Sequence, residues 1–266
     1  MDKVILHATY PYFFETHLHT SRGSACSSCS AVDAAKAYKQ AGYSGIVITE
    51  HNWAGNTAVS RRLNWEDWVR QFVRGYEEAY IWGQKNDLVV LWGYEAGFNG
   101  TEFLIYGLEP KFLLEYPEIK YASVENQYKI VHAAGGIVVH AHPFREAYYI
   151  PDVRLFPDFV DAVEGFNAAH FNRLNHNDFG YYSDKEMYNR RAVKYANDYD
   201  FPLTAGSDTH STRLRGGGMA FKKLPHNGKQ FIECLFSRDY LLTDGVLWYD
   251  SSGKIITEVK YDKIYY

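Results

Sequence analysis

The sequence predicts a single α/β domain whose parallel sheet closes into a barrel. Three observations predict it. Strand-like and helix-like runs alternate along the chain, as repeated βαβ units require. The units are numerous enough to favour closure over an open sheet, and no Pro/Gly-rich linker, internal repeat or low-complexity tract divides them. The residues that carry chemistry stand where each strand hands over to its following loop, which is where a (β/α) barrel keeps its active site.

Taken in order, residues 12–17 read as a strand. Residues 31–40 read as a helix with Ser30 as N-cap and Gly42 just past its end. Residues 44–50 form a buried-type strand centred on Ile46-Val-Ile48, and residues 64–84 a long helix rich in Trp and charge. Strands follow at 88–92 and, peripheral or antiparallel, at 102–106. A helix at 123–134 ends in Gly135-Gly136, and strands come next at 137–140 and 160–166. Ser183-Asp-Lys-Glu186 is a capping box opening a helix to Asp198. Residues 201–206 read as a strand and Gly216-Gly-Gly218 as a tight loop, since no Lys-Ser/Thr or helix follows as in a P-loop. A helix at 228–237 and a hairpin over 246–261, turning at Ser251-Ser-Gly253, complete the chain. Residues 1–245 form the main domain and 246–266 a C-terminal β-hairpin extension of it.

The chain has 266 residues, 46% of them hydrophobic, enough to bury one large core. The net charge is −4, and no basic block or arginine stripe marks a duplex-binding surface, which weighs against long nucleic acid. Three cysteines, Cys26, Cys29 and Cys234, are an odd count that argues against a disulfide framework and for a reducing compartment. The first ten residues lack a signal-peptide core, and no apolar run reaches the roughly 20 residues of a membrane span. The expectation is a cytoplasmic protein with no membrane partner. Aromatic residues are frequent, which reads as aromatic packing in a globular fold.

Three pairs of metal-grade side chains are spaced by one residue: His17-Leu-His19, His140-Ala-His142 and Asp208-Thr-His210. Residues i and i+2 of a strand point to one face, so each pair can aim two ligands at one point. Glu50-His51, Glu95, Glu164 and Asn167 stand at the ends of other expected strands. Imidazole with carboxylate suits Zn²⁺, Mn²⁺ or Fe. The candidates exceed the four ligands of a tetrahedral ion, so two or three divalent ions with a bridging carboxylate are expected. Such clusters polarise phosphoryl oxygens and generate hydroxide near neutral pH. Arg22, Arg145, Arg213 and Arg215 each follow a ligand segment by a few residues, and a guanidinium can grip two phosphate oxygens. Arg22, Arg145 and Arg213 are the substrate-binding candidates. His132, His170, His176 and His226 read as surface or packing residues. Cys26-x-x-Cys29 reads either as two small buried thiols or, at Cys26, as a further metal ligand.

His17-Leu-His19-Thr20, Ile48-Thr-Glu50-His51-Asn52, Gly93-Tyr-Glu95, Gly135-Gly-Ile-Val-Val-His-Ala-His142-Pro143 and Ala205-Gly-Ser-Asp208-Thr-His210 resemble, in order, the motifs of the polymerase-and-histidinol-phosphatase (PHP) family. The resemblance covers residues 13–240. It implies a distorted seven-stranded (β/α) barrel, TIM-like, and metal-dependent phosphoester hydrolysis, commonly at a trinuclear centre. By position, it implies that His17, His19, Glu95 and Asp208 surround a first metal. Glu95 would bridge to a second held also by His142, with His140 completing that site or orienting a ligand. His51 and His210 would hold a third. Two departures stand out. Glu50 replaces the usual Asp of a T-D-H motif, and residues 21–29 lack the carboxylate or imidazole that often follows the first motif.

The resulting expectation is hydrolysis of a small-molecule phosphate ester by a metal-bound hydroxide. The metal ligands would be His17, His19, His51, Glu95, His140, His142, Asp208 and His210. Asp208, His210, Glu50 and Arg145 would be catalytic, Glu50 or His210 in proton transfer. The alternatives are a 3′–5′ nuclease or phosphodiesterase, a protein-tyrosine phosphatase of the PHP type, and a non-catalytic metal-binding module.

Overall fold

The structure, a computed structural model, describes residues 8–148, 150–170 and 185–258. Seven helices are described in chain order: α1 (Ala31–Gln40), α2 (Trp65–Phe72), α3 (Arg74–Lys85), α4 (Phe112–Glu115), α5 (Val124–Ala133), α6 (Lys185–Asp198) and α7 (Gly228–Phe236). The strands are β1 (Tyr12–Leu18), β2 (Gly45–His51), β3 (Val89–Phe98), β4 (Thr101–Tyr106), β5 (Ile137–Ala141), β6 (Ala162–Asn167), β7 (Leu203–Gly206), β8 (Gly217–Phe221), β9 (Tyr240–Asp244), β10 (Leu247–Asp250) and β11 (Ile255–Glu258). Ser30, Asn64, Ser123 and Asn227 cap their helices by accepting a backbone N–H three residues on, which satisfies one orphan donor each.

All described strands join one sheet in the order β11-β10-β9-β8-β1-β2-β3-β4-β5-β6-β7. Strands β1, β2 and β3 run parallel, as do β5, β6 and β7. Strand β4 is antiparallel to both β3 and β5. The sheet curls until β7 approaches β1. There an isolated parallel bridge joins Leu18 to Thr209, His19 N–H donates to the Thr209 carbonyl at 3.0 Å, and Thr16 Oγ1 donates to the Ala205 carbonyl at 2.7 Å. Gly206 permits this approach, because a Cβ there would stand 2.5 Å from His17 Cβ. The result is a mixed α/β fold around a curled half-barrel. The distorted seven-unit (β/α) barrel is met as this half-barrel, in which a hairpin joins β3 to the antiparallel β4 expected at 102–106.

Three expectations change. The helix at 64–84 is two helices separated at Val73. Gly216-Gly-Gly218 leads into β8, which pairs antiparallel with β1, so the predicted loop is partly a strand. The last hairpin, β10–β11, extends a run already begun by β8 and β9. The capping box at 183–186, His176 and residues 259–266 of the C-terminal extension lie outside the described residues or side chains.

Alternation along each strand sorts the core. Val47, Leu91, Val139, Phe14, Phe221 and the α7 residues Phe231 and Leu235 belong to one buried cluster, which also takes in Val163 and Leu203 with the α6 residues Ala192, Tyr195 and Ala196. Ile46, Ile48 and Val90 face α1 and α3 instead, and Trp92, Phe103 and Val138 face α2 and α5. Each such side chain contributes about 1.5–3 kcal/mol by leaving water. This sorting decides which strand-end residues enter the site. Among the described residues, no helix is long and apolar enough to cross a membrane.

Candidate metal centre

The interior phase of β2 and β3, set by Val47 and Leu91, brings His51 and Glu95 to the inside of the curl. A bulge between Glu15 and Leu18 in β1 re-aims the chain so that His17 and His19 both enter. His142 and Asp208 lie just past β5 and β7 with φ of 25° and 50°, a left-handed backbone that non-glycine residues seldom adopt. Such strain is tolerated where a site needs a particular aim.

Seven predicted residues converge. His17 Nε2 lies 3.0 Å from His19 Nε2, 3.5 Å from Glu95 Oε1 and 3.7 Å from Asp208 Oδ1. His19 Nε2 lies 3.3 Å from Asp208 Oδ1 and 3.5 Å from Glu95 Oε2. Glu95 also meets His51 Nδ1 at 2.7 Å and His142 Nε2 at 3.0 Å. The ligand atoms form four overlapping triads, each within 4.8 Å: His17-His19-Asp208, His17-Glu95-His142, His19-His51-His210 and His51-Glu95-Glu102. Glu95 belongs to two of them, as a bridging carboxylate would.

The surrounding hydrogen bonds fix imidazole orientation. His17 Nδ1 pairs with Glu164 Oε1 at 2.8 Å, which turns Nε2 to the cluster. Glu164 Oε2 also accepts the His142 backbone N–H at 3.0 Å. Ser24 Oγ donates to Glu50 Oε2 at 2.6 Å, so it can only accept from His19 Nδ1 at 3.0 Å. His210 Nδ1 donates to the Asp208 carbonyl at 2.8 Å. In all three histidines the tied nitrogen leaves the other lone pair for a cation. His51 Nδ1 and Glu95 Oε2, both buried, have no aligned hydrogen-bond partner despite their closeness. Orphaned buried polar atoms in a nitrogen-and-oxygen donor set fit a divalent metal.

The charges agree. Burial would push Glu95 and Asp208 up, but His51 and His142 at the first and His17 and His19 at the second hold both well below the carboxylate range. Burial would lower His17 and His51, yet Glu164 with Asp208, and Glu95, hold them well above the usual imidazole value. Burial and His51 push His19 down to about 3, so it is neutral, as a ligand must be. Without a cation, protonated histidines balance the carboxylates.

Other predicted residues sit elsewhere. His140 occupies the outward phase of β5, stacked on Phe103 with centroids 5.0 Å apart, and both its ring nitrogens are buried without a partner. Burial and His142 lower it to about 3. The i, i+2 pairing with His142 fails because His142 follows the strand end in a left-handed turn. Glu50 takes the phase opposite His51 and accepts from Thr20 N–H at 3.0 Å, from the Thr20 hydroxyl and from Ser24. Burial raises it to about 7 against those hydrogen bonds. It therefore stands behind the cluster, accepting from Ser24, and not among the converging ligand atoms. Arg22 turns to Glu78 on α3 at 2.9 Å, and both side chains are exposed. Arg213 is exposed on the turn after β7. Arg145 is half-buried and pairs with Glu102 Oε2, which lies 3.7 Å from His142 Nε2.

Three contributors were not foreseen, and a fourth, Arg215, was foreseen only as an arginine able to grip phosphate. Glu102 joins a ligand triad from β4. Glu15 accepts from His17 N–H at 2.8 Å, Ser207 N–H at 2.9 Å and Tyr38 Oη at 2.7 Å, fastening β1 to the Asp208 turn. Arg215 donates to the Asp208 carbonyl at 2.7 Å, and Ser24 holds His19. The Glu15-x-His17-x-His19 alternation was the available signal for Glu15; Ser24 had none.

A family model described as PHP-associated matches residues 186–216, from α6 through β7 to the Asp208 turn. The fold matches a two-domain protein of Bacteroides vulgatus ATCC 8482 containing a predicted PHP-like metal-dependent phosphoesterase. The TM-score is 0.61 at 12% identity, over 87% of this chain and 64% of that one. The family match is confined to residues 186–216, and the structural likeness is one of fold. The chain spans less than two thirds of the Bacteroides protein. A second match is a proposed metal-dependent phosphoesterase of Bifidobacterium adolescentis ATCC 15703, with a TM-score of 0.50 at 14% identity over 84% of this chain and 95% of that one. PsfC of Pseudomonas syringae PB-5123 gives 0.50 at 14% identity over 80% and 83%. No curated protein matches the sequence. At such identities the likeness carries the PHP fold and not a substrate.

Proposed function

We propose that this chain is a PHP-type metal-dependent phosphoesterase acting on a small-molecule phosphate monoester. The observation that carries the reading is the set of four overlapping ligand triads sharing Glu95, His17, His19 and His51. Asp208, His142 and His210 complete the ligand set, and two or three Zn, Mn or Fe ions suit its donors. Bound divalent ions supply Lewis acidity and neutralise phosphate charge. The chain's residues do the rest. Glu164 and Ser24 hold His17 and His19 in the tautomer that faces the cluster. Asp208 and Glu95 provide the anionic floor that retains cations. Arg145, at the rim beside Glu102, grips the phosphate through its guanidinium. His210, tied through Nδ1 to the Asp208 carbonyl, offers its other nitrogen to a cation.

The test is hydrolysis of a chromogenic phosphomonoester and, in parallel, a phosphodiester by protein reconstituted with Mn²⁺ or Zn²⁺. The reading expects chelator-sensitive turnover of the monoester. Turnover of the diester alone would move the assignment to the phosphodiesterase class. Tight metal binding with no turnover of either would make the chain a non-catalytic metal-binding module.

A further inference from the structure

A cleft lies at the end of the sheet opposite the metal centre. Two adjoining cavities, of about 580 and 470 Å³, share Tyr80, Val90 and His226 as walls. They run between α3, the start of β3 and the loop that enters α7. Tyr12 and Val89, on the cleft, begin β1 and β3, whereas the ligands His17 and Glu95 stand toward the far ends of those strands. Val89 and Glu95 are separated by roughly 20 Å of strand. The helical spacing of α3 puts Tyr76 with Tyr80, and Glu77 with Ile81, along one side of the cleft. The Tyr76 and Tyr80 ring centroids are 5.7 Å apart. Val90, Trp92 and Leu108 add apolar wall. Tyr80 and Ile81 are 41% and 54% exposed, so the fold leaves a large ring and a branched chain in water there.

Charge selects the occupant. At one end Lys39 and Asp87 pair with each other at 3.5 Å. At the other, Glu77 and Glu109 line the wall, and among the described residues neither has an ion-pair partner. Gly228, at the start of α7, also lines the cleft, and a helix start attracts anions. That start is closed by its own side chains: Asn227 Oδ1 accepts from Gln230 N–H at 2.9 Å, and Gln230 Oε1 from His226 N–H at 2.8 Å. Two carboxylates and two tyrosine rings favour a cation instead. We propose that the cleft binds a small organic cation, with its ammonium group at Glu77 and Glu109 and its apolar body against Tyr76, Tyr80 and Ile81. The proposal is independent of the phosphoester reading and assigns the chain a second site, remote from the first.

Three probes of one shape and different charge test it: phenethylammonium, neutral 2-phenylethanol and anionic 3-phenylpropionate. Each is titrated into the full chain, with and without reconstituted metal, and followed by NMR. The cation is expected to bind tighter than the alcohol by roughly 10-fold, the sum of an exposed ion pair and an exposed cation–π contact. The anion is expected not to bind, and metal is expected to change nothing. In the double variant Glu77→Gln with Glu109→Gln the cation and the alcohol become equal, while Tyr80→Ala weakens both. All three side chains are exposed, so the variants are expected to fold. The comparison of probes on the parent chain stands whether or not they do. No binding of the cation, equal affinity for cation and alcohol, or a preference that survives the double variant overturns the proposal. So does competition between the cation and bound metal, which would place the probe in the metal centre. Self-association of the chain that Ile81→Asp abolishes would give the cleft to a second copy and likewise overturn it.

Discussion

Each ligand's usefulness depends on a neighbour that fixes its orientation. Glu95 and Asp208 supply the negative charge among five histidines, so Glu95→Gln or Asp208→Asn is expected to lower phosphomonoester turnover by at least ~10²-fold, as loss of a catalytic metal's contribution would. Near-parental turnover by either variant under saturating metal would remove that residue from the centre. Ser24 touches no substrate position; it holds His19 Nδ1 from behind while donating to Glu50. Ser24→Ala should weaken metal binding by roughly 10–100-fold, the usual effect of losing a partner behind a ligand. Competition with a chromogenic chelator measures this, and unchanged affinity would detach the Glu50–Ser24–His19 chain from the metal. Arg145 separates binding from metal retention. Arg145→Lys keeps the charge but loses the two-pronged grip, so KM should rise and kcat fall with metal content unchanged. If Arg145→Ala hydrolyses the ester as well as the parent, the phosphate clamp lies elsewhere.

Strand phase decided which of the sequence's candidates met. The apolar runs of β1, β2, β5 and β7 were legible because buried strands leave little else at those positions, and the residues that end them were legible as ligands. The i, i+2 rule then held for His17 and His19 only through a β-bulge, and it failed for His140 because His142 has left the strand. Glu50 and His51, adjacent in sequence, were bound to part, since successive strand residues face opposite ways. Strand β8 was hidden by Gly217 and Gly218, which carry no side chain to show a period of two. The break at Val73 has no Pro or Gly in it, and the amphipathic pattern runs on through both helices. Glu102 was missed because its strand was read as peripheral, whereas pairing with both β3 and β5 brings it to the rim. The outward phase of His140 has its own consequence. A buried imidazole with two unpartnered nitrogens among Phe103, Phe156 and Tyr195 costs about 1–3 kcal/mol in lost hydration. His140→Leu should therefore leave stability unchanged or raised, with metal content unaffected. A loss of bound metal on this substitution would return His140 to the ligand set.

At the scale of the whole molecule, the curl of the sheet is what joins residues as distant as His17 and Asp208, and the cation adds to its closure. Ligands come from β1, β2, β3 and the turns after β5 and β7, so a bound ion links strands from opposite ends of the parallel set. At least two transition-metal ions per chain are expected after reconstitution, and elemental analysis giving fewer than one would end the multinuclear reading. A ligand present at 1,000 times its Kd stabilises the native state by about 4.1 kcal/mol. In a chain of this size each 1 kcal/mol moves Tm by about 2–4 °C, so chelation should lower Tm by roughly 8–16 °C. The gain also depends on pH. In the metal-free protein, His17 and His51 are held above their ordinary value by the carboxylates. Their contribution is therefore complete below the unfolded imidazole value and is lost as pH rises through the folded one. Glu95 and Asp208, held low, contribute above their unfolded values and lose this only in acid. Between about pH 6 and pH 8 the carboxylates are constant, and a cation must displace protons from imidazoles held above their ordinary value, so it binds more tightly as pH rises. Metal-induced stabilisation, read as the Tm difference with and without chelator, should then grow across that interval. A difference that shrinks from pH 6 to pH 8 would show that His17 and His51 do not exchange protons for metal.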